Sequence, residues 1–265
     1  MAVLPQEKTI PLSDSSVSYV TFGSGPGTLV LVPGLSLRSI HGTAMALGHM
    51  YRIFAKDYTV YVIDRKNEIN DGITIADLAA DLAETMCRLN IKQADVIGIS
   101  QGGMIAQYLA LDHPELVRKL VLGVTLSRVN ETTEAVVRNW LALMDQGGFE
   151  AVVKDMMGRM YSAAYVSKYE RFFPLLLKVV QLDDAERFKR LAASILTMDV
   201  YERLEEIHCP VFVIGGEQDR IATPEASYEI EEQLHCPIYM YQEYGHSAYE
   251  EAKDFNERIF AFLKG

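Results

Sequence analysis

Residues 96–104 read V-I-G-I-S-Q-G-G-M, and no other stretch constrains the fold as strongly. An apolar run, 94–99, ends at Ser100. Two glycines follow, Gly102 and Gly103, and then apolar residues at helical spacing: Met104, Ile105, Tyr108, Leu109 and Leu111. G-x-S-x-G between a strand and a helix is the pattern of a serine carried on a sharp, strained turn with its Oγ exposed. Side chains two residues to either side would strike neighbouring backbone, so Gly98 and Gly102 are there for space. Gln101 opens the helix, and a first-turn N–H has no intrahelical partner, so it can face a developing negative charge. The stretch therefore predicts Ser100 as a nucleophile and the Gln101 amide as an oxyanion donor.

Short strands are expected at 8–12 and 17–22, as an edge hairpin, and at 28–32, 58–63, 117–124, 211–215 and 238–242. Helical periodicity covers 74–90, with Thr74 as N-cap and Asp77 three residues on, and also 224–234 and 247–263. Strands alternating with helices build β-α-β units and a mostly parallel sheet covered on both faces. The rhythm breaks between 130 and 206, where helical segments (135–145, 149–159, 169–182, 184–196) replace strands. That length is too great for a loop in a compact domain. It reads as a helical cap, 129–206, inserted into a core made of 1–128 and 207–265.

A serine hydroxyl needs a base to take its proton and a carboxylate to orient that base. In a strand-elbow architecture both arrive on loops after later strands, carboxylate first. The loop after 211–215 reads G-E-Q-D-R and supplies Glu217 and Asp219; the loop after 238–242 reads E-Y-G-H-S and supplies His246. His246 alone among six histidines lies between the last strand and the final helix. His41, His49, His113, His208 and His235 lie at other ends of elements or in unremarkable polar positions. Asp219 is preferred to Glu217, Asp64 and Asp199 because it sits deeper in its loop, before I-A-T-P. For the second oxyanion donor the candidate is the Leu35 amide in P-G-L-S after strand 28–32; a plain tight turn is the alternative.

The charge balance narrows the partners. Asp and Glu number 36 against 25 Lys and Arg, a formal charge of −11. Nucleic acid and anionic membrane both demand clustered cations, so neither is expected. Three cysteines, Cys87, Cys209 and Cys236, form no C-x-x-C pair. Free thiols in a reducing cytoplasm are the expectation, and neither a secretion signal nor a membrane span is visible.

Taken together, V-P-G (32–34), Asp64-Arg65, G-I-S-Q-G-G (98–103), D-H-P-E (112–115), G-G-E-Q-D (215–219) and Gly245-His246 resemble the α/β-hydrolase superfamily across essentially the whole chain. Residues 98–107 resemble small lidded esterases and enol-lactonases. The resemblance implies an eight-stranded, mostly parallel sheet with helices on both faces and a helical cap. It implies Ser100 as nucleophile, His246 as general base and acid, Asp219 as orienting carboxylate, and the Leu35 and Gln101 amides as oxyanion hole. It also implies an acyl-enzyme mechanism without metal or organic cofactor. Two departures stand out: Pro33 replaces a common histidine, and K-N-E-I-N-D-G (66–72) replaces the usual glycine-rich loop.

The cap carries Trp140, Met144, Met156, Met157, Met160, Tyr161, Tyr165, Phe172, Phe173 and Leu175–Leu177. Most of these are expected to pack helix on helix. Ser36, Trp140, Met144 and Met160 are the candidate pocket residues, and the Gly147-Gly148 pair is a turn or hinge. The expected function is hydrolysis of an ester, thioester or lactone of a small to medium, mostly apolar acyl compound, by a monomer or homodimer. A C–C bond hydrolase or perhydrolase with the same triad, and a low-turnover hydrophobic-ligand receptor, are the alternatives.

Overall fold

The computed structural model describes residues 4–146, 148–169, 171 and 184–265. Eight strands form one sheet: β1 (Gln6–Pro11), β2 (Ser16–Phe22), β3 (Gly27–Val32), β4 (Tyr58–Lys66), β5 (Ala94–Ile99), β6 (Val117–Gly123), β7 (Val211–Gly216) and β8 (Ile238–Tyr241). Their order across the sheet is β1-β2-β4-β3-β5-β6-β7-β8. β1 and β2 pair antiparallel at one edge and β2 is antiparallel to β4, while every later pairing is parallel.

Alternation along each strand decides which side chain meets which layer. Val30, Val32, Val96, Leu120, Leu122 and Val213 face one layer. Leu29, Leu31, Ile97, Ile99, Val121, Phe212 and Ile214 face the other. The first layer holds α2 (Ile75–Arg88), α3 (Gln101–Asp112) and α8 (Pro224–Leu234). The second holds α1 (Ala44–Met50), α9 (Ala248–Glu251) and α10 (Phe255–Lys264). Because both faces are covered, the central strands carry unbroken apolar runs, Leu29–Val32, Val96–Ile99 and Leu120–Leu122. α2 opens on a capping box: Asp77 N–H donates to the Thr74 hydroxyl at 3.1 Å, and Thr74 N–H donates to the Asp77 carboxylate at 2.9 Å.

Strand order places the site. β3 and β5 are neighbours, yet the chain leaves β3 toward β4 and leaves β5 toward β6, in opposite directions. A crevice opens beyond the C-terminal ends of two strands at such a switch point. Val32 pairs with Gly98, so β3 and β5 end level and their following loops face each other.

Between β6 and β7 the chain runs through α4 (Glu131–Gln146), α5 (Gly148–Met160), α6 (Ala163–Tyr169) and α7 (Ala185–Ser194). The segment leaves and returns at one place: Val129 N–H donates to Met198 O at 3.2 Å, and Val200 N–H to Ser127 O at 2.8 Å.

Two local expectations are corrected. β4 continues through Asp64, Arg65 and Lys66 because Lys66 still pairs with Val17. The single helix expected over 247–263 is two, α9 and α10, because Ala252 is extended (ψ 116°) and turns inward with Phe255. No periodic pattern announces α1. The helix expected over 169–182, Gly147 of the glycine pair, and Phe172, Phe173 and Leu175–Leu177 lie wholly or largely outside the described residues.

All three cysteines are free thiols, Cys87 exposed and Cys209 and Cys236 partly buried. Burial pushes the Cys209 and Cys236 thiols up to about 11. At pH 8 only ~0.1% of such a thiol is thiolate, the reactive form. An Ellman titration at pH 8 should therefore show Cys87 reacting first, with Cys209 and Cys236 at least tenfold slower until guanidinium is added. Three thiols reacting at one rate would contradict this burial.

Candidate active site

Ser100 stands between β5 and α3 with φ 54° and ψ −121°. A non-glycine residue there carries roughly 1–3 kcal/mol of strain, held only because its surroundings are over-determined. Ser100 N–H donates to Gly123 O at 2.8 Å, and the Thr125 hydroxyl donates to Ser100 O at 2.7 Å. A Cβ at Gly98 would lie 2.5 Å from Gly102 O, and one at Gly102 only 2.0 Å from Val32 O. The glycine spacing is therefore a steric requirement of this turn. It turns Oγ outward.

The loop after β8 brings His246 to the serine, Nε2 lying 2.9 Å from Ser100 Oγ. Its Nδ1 lies 2.8 Å from Asp219 Oδ2, on the loop after β7. The other carboxylate oxygen of Asp219 accepts from the N–H groups of Ile221 and Ala222 at 2.8 and 3.0 Å. Three donors thus fix the carboxylate, and one of them fixes the imidazole tautomer with its free nitrogen toward Oγ. Asp219 and His246 are both buried. Glu217 turns away to accept from the Tyr228 hydroxyl.

The loop after β3 closes the other side. A Cβ on Gly34 would lie 3.3 Å from Ser100 Cβ, so Gly34 lets the backbone lie against the serine. Leu35 follows it at the wall of the cavity. Gln101 is the first residue of α3, where the N–H is one of the unpaired first-turn donors. The two backbone segments expected to hold an oxyanion thus flank Ser100.

The cavity over Ser100 is small, about 30 Å³, room for about two waters. Of the four candidate pocket residues, Trp140 and Met160 line it. Ser36 does not: it lies in a separate depression beside Arg38 and Thr43. Its hydroxyl accepts from Arg38 N–H at 3.2 Å. Met144, one helical turn beyond Trp140, is also absent from the wall and is buried in the core. The wall is completed by residues the sequence pattern did not single out, among them Thr133, Val137, Ile195, Ile221 and Tyr249.

The polar side chains of that wall are already engaged. Thr133 donates to Ile221 O at 2.6 Å, and Trp140 Nε1–H to Asp155 at 2.8 Å. The Tyr249 hydroxyl interacts with the Glu250 carboxylate, which also accepts from the Tyr161 hydroxyl at 2.5 Å, and desolvation holds Tyr249 and Glu250 above their ordinary ranges. Apart from Ser100 and His246, the described wall offers a ligand no uncommitted polar side chain.

A second Ser–His–carboxylate line occurs at the sheet edge. His41 Nε2 lies 3.1 Å from Ser18 Oγ, and Nδ1 lies 2.5 Å from Glu7. His41 was expected in an unremarkable position, and instead it pins the loop after β3 to β1 and β2. Ser18 is fully buried, so its hydroxyl has no room for a reacting carbonyl. Among the described residues no group of three or more His, Cys, Asp or Glu is placed to hold a metal ion. None of the described helices is long and apolar enough to cross a membrane.

Comparison with known proteins agrees with this architecture. A family model described as alpha/beta hydrolase fold matches residues 28–253. A protein of Rhizobium rhizogenes that carries the name carbamate hydrolase RutD is 24% identical over 89% of this chain and 92% of its own length. A match of the same name from Serratia proteamaculans, 30% identical, spans just under half of either chain. The 3-oxoadipate enol-lactonase 2 of Acinetobacter baylyi is 22% identical, covering 84% of this chain and 83% of the relative. The crystal structure of MGS-M2, an alpha/beta hydrolase from a deep-sea metagenome library, superposes with a TM-score of 0.88 at 19% identity, over 97% of this chain and 98% of that one.

Proposed function

The chain belongs to the α/β hydrolase fold family, and from that premise we propose that it is a serine hydrolase of short, uncharged carboxylic esters, thioesters or lactones. The carrying observation is the line Asp219–His246–Ser100, with bonds of 2.8 and 2.9 Å, ending at a small apolar cavity. His246 Nε2 takes the proton as Ser100 Oγ attacks the carbonyl carbon, and Asp219 stabilises the imidazolium that forms. The carbonyl oxygen, now negative, lies between the amides of Leu35 and Gln101. The tetrahedral intermediate collapses, the C–O or C–S bond breaks, and His246 returns the proton to the leaving group. Water, deprotonated by His246, then attacks the acyl-Ser100 ester and releases the acid.

The helices of residues 129–206 serve as the cap over this site, and the free thiols suit a reducing cytoplasm. The names carried by relatives include hydrolases of carbamates and of an enol-lactone. The small volume and the committed wall argue here for a short acyl group without a carboxylate, since a buried charge without a partner is costly.

p-Nitrophenyl acetate, butyrate, octanoate and hemisuccinate separate these features. The acetate and butyrate are expected to turn over at least tenfold faster, in kcat/KM, than the octanoate or the anionic hemisuccinate. Preference for octanoate would overturn the size limit, and preference for hemisuccinate the charge limit. If no ester turns over and a fluorophosphonate does not label Ser100, the hydrolase reading falls. Labelling without turnover would favour the low-turnover receptor.

A further inference from the structure

An oxyanion donor at the residue after the nucleophile uses only its backbone N–H, so the Gln101 side chain is free for another task. That side chain is fully buried. Its Oε1 accepts from Arg65 Nη2 at 2.8 Å. Its Nε2 donates to Leu191 O at 2.6 Å and to Ser194 Oγ at 3.2 Å, both on α7. Ser194 Oγ itself donates to Leu191 O at 2.8 Å. A carboxamide suits this place because it turns an acceptor to a buried cation and a donor to a helix carbonyl at once.

The same helix grips the end of β4. Arg187 donates to the Lys66 carbonyl at 3.2 Å and pairs with Asp64 at 3.5 Å. Asp64 in turn accepts from Ile40 N–H at 3.0 Å, in the loop that carries Leu35. Arg190 donates to Ile69 O at 2.7 Å. Arg65 is buried, with Nε unpartnered, and burial lowers its guanidinium to about 10. Gln101 is a carboxamide facing that cation, and removing it would leave a second guanidinium nitrogen without a partner.

We propose that the Gln101 carboxamide, clamped between Arg65 and α7, is a positioning group that ties the seating of α7 to the placement of the oxyanion amide. This rests on the Ser100 hydrolase reading for its catalytic consequence and on the geometry alone for the clamp. With α7 seated, the first turn of α3 is fixed and its N–H is aimed. With α7 raised, the carboxamide loses two of its three bonds and the amide loses that support. A displacement of about 1 Å at such a donor costs on the order of 10²-fold in rate.

Gln101→Met keeps the shape and removes every bond. It is expected to lower kcat for p-nitrophenyl acetate about 10- to 100-fold with KM within threefold, since an oxyanion donor acts in the transition state. Affinity for a trifluoromethyl ketone, which forms the oxyanion adduct, should fall in parallel. Deuterium uptake over residues 185–194 should quicken at least tenfold. Gln101→Glu keeps the acceptor for Arg65 and loses the donor to Leu191 O, so it should quicken exchange in α7 as well. If Gln101→Met does not fold, Ser194→Ala, which removes one of the three carboxamide bonds together with the Ser194–Leu191 bond, should lower kcat two- to fivefold at constant KM and quicken the same exchange.

A lowered melting temperature with kcat unchanged would mean a purely structural residue and overturn the proposal. Unchanged exchange over 185–194 would overturn it too. If the wild type turns over no ester, the hydrolase reading fails by itself, and the exchange rates alone decide the clamp.

Discussion

Ser100→Ala is expected to remove turnover of p-nitrophenyl acetate by on the order of 10⁴- to 10⁶-fold, together with fluorophosphonate labelling. The variant loses the hydroxyl that bonds His246 Nε2, and no described wall residue offers a substitute nucleophile. The fold should survive. Alanine carries the same strain at φ 54°, and the backbone bonds from Ser100 N–H and to Ser100 O do not involve the side chain. Stability should change by no more than about 1 kcal/mol, the net worth of one hydrogen bond. Steady-state kinetics, labelling and urea unfolding of the same preparation check the three parts. Residual activity above one hundredth of wild type, in a folded sample, would mean that Ser100 is not the nucleophile.

Gly102→Ala should destabilise the fold severely. The new Cβ would sit 2.0 Å from Val32 O, 2.6 Å from Val32 C and 2.7 Å from Pro33 O. These are backbone atoms at the end of β3, which is hydrogen-bonded to β4 on one side and β5 on the other. They cannot retreat without breaking a central ladder. A loss above about 4 kcal/mol is expected, a large share of the 5–15 kcal/mol that roughly holds a domain. Gly158→Ala is the internal control. Nothing lies within 4 Å of its added Cβ, and it sits inside α5. It should gain ~0.5–1 kcal/mol through helix propensity. Urea midpoints moving in opposite directions would support the steric account. A Gly102→Ala midpoint equal to wild type would refute it.

Much of this was legible in the chain because the relevant physics is local. The elbow needs a strand, two small residues and a helix within nine positions, all contiguous from 96 to 104. The Thr74 capping box spans four residues. Asp219 and His246 were identified by rank along the chain, since each follows the strand whose loop must reach the serine. Period-two and 3.6-residue patterns specified the sheet and most helices, because burial on one face is a short-range constraint.

What the tertiary structure decided depends on residues far apart in sequence. Whether Trp140 or Met144 faces Ser100 turns on how α4 packs against α5 and α7, and both satisfy the same apolar stripe. Ser36 lies one residue past Leu35 yet faces a different depression, because the loop turns between them. The break at 252–254 follows from the inward demand of Ala252 and Phe255, against a propensity that would continue the helix. Gln101 shows the division within one residue. Its proposed backbone role follows from its place after Ser100. Its side chain meets Arg65, 36 positions before it, and Leu191, 90 positions after it. Local spacing specified the backbone that carries the chemistry, and only packing across the sheet and the inserted helices specified what surrounds it.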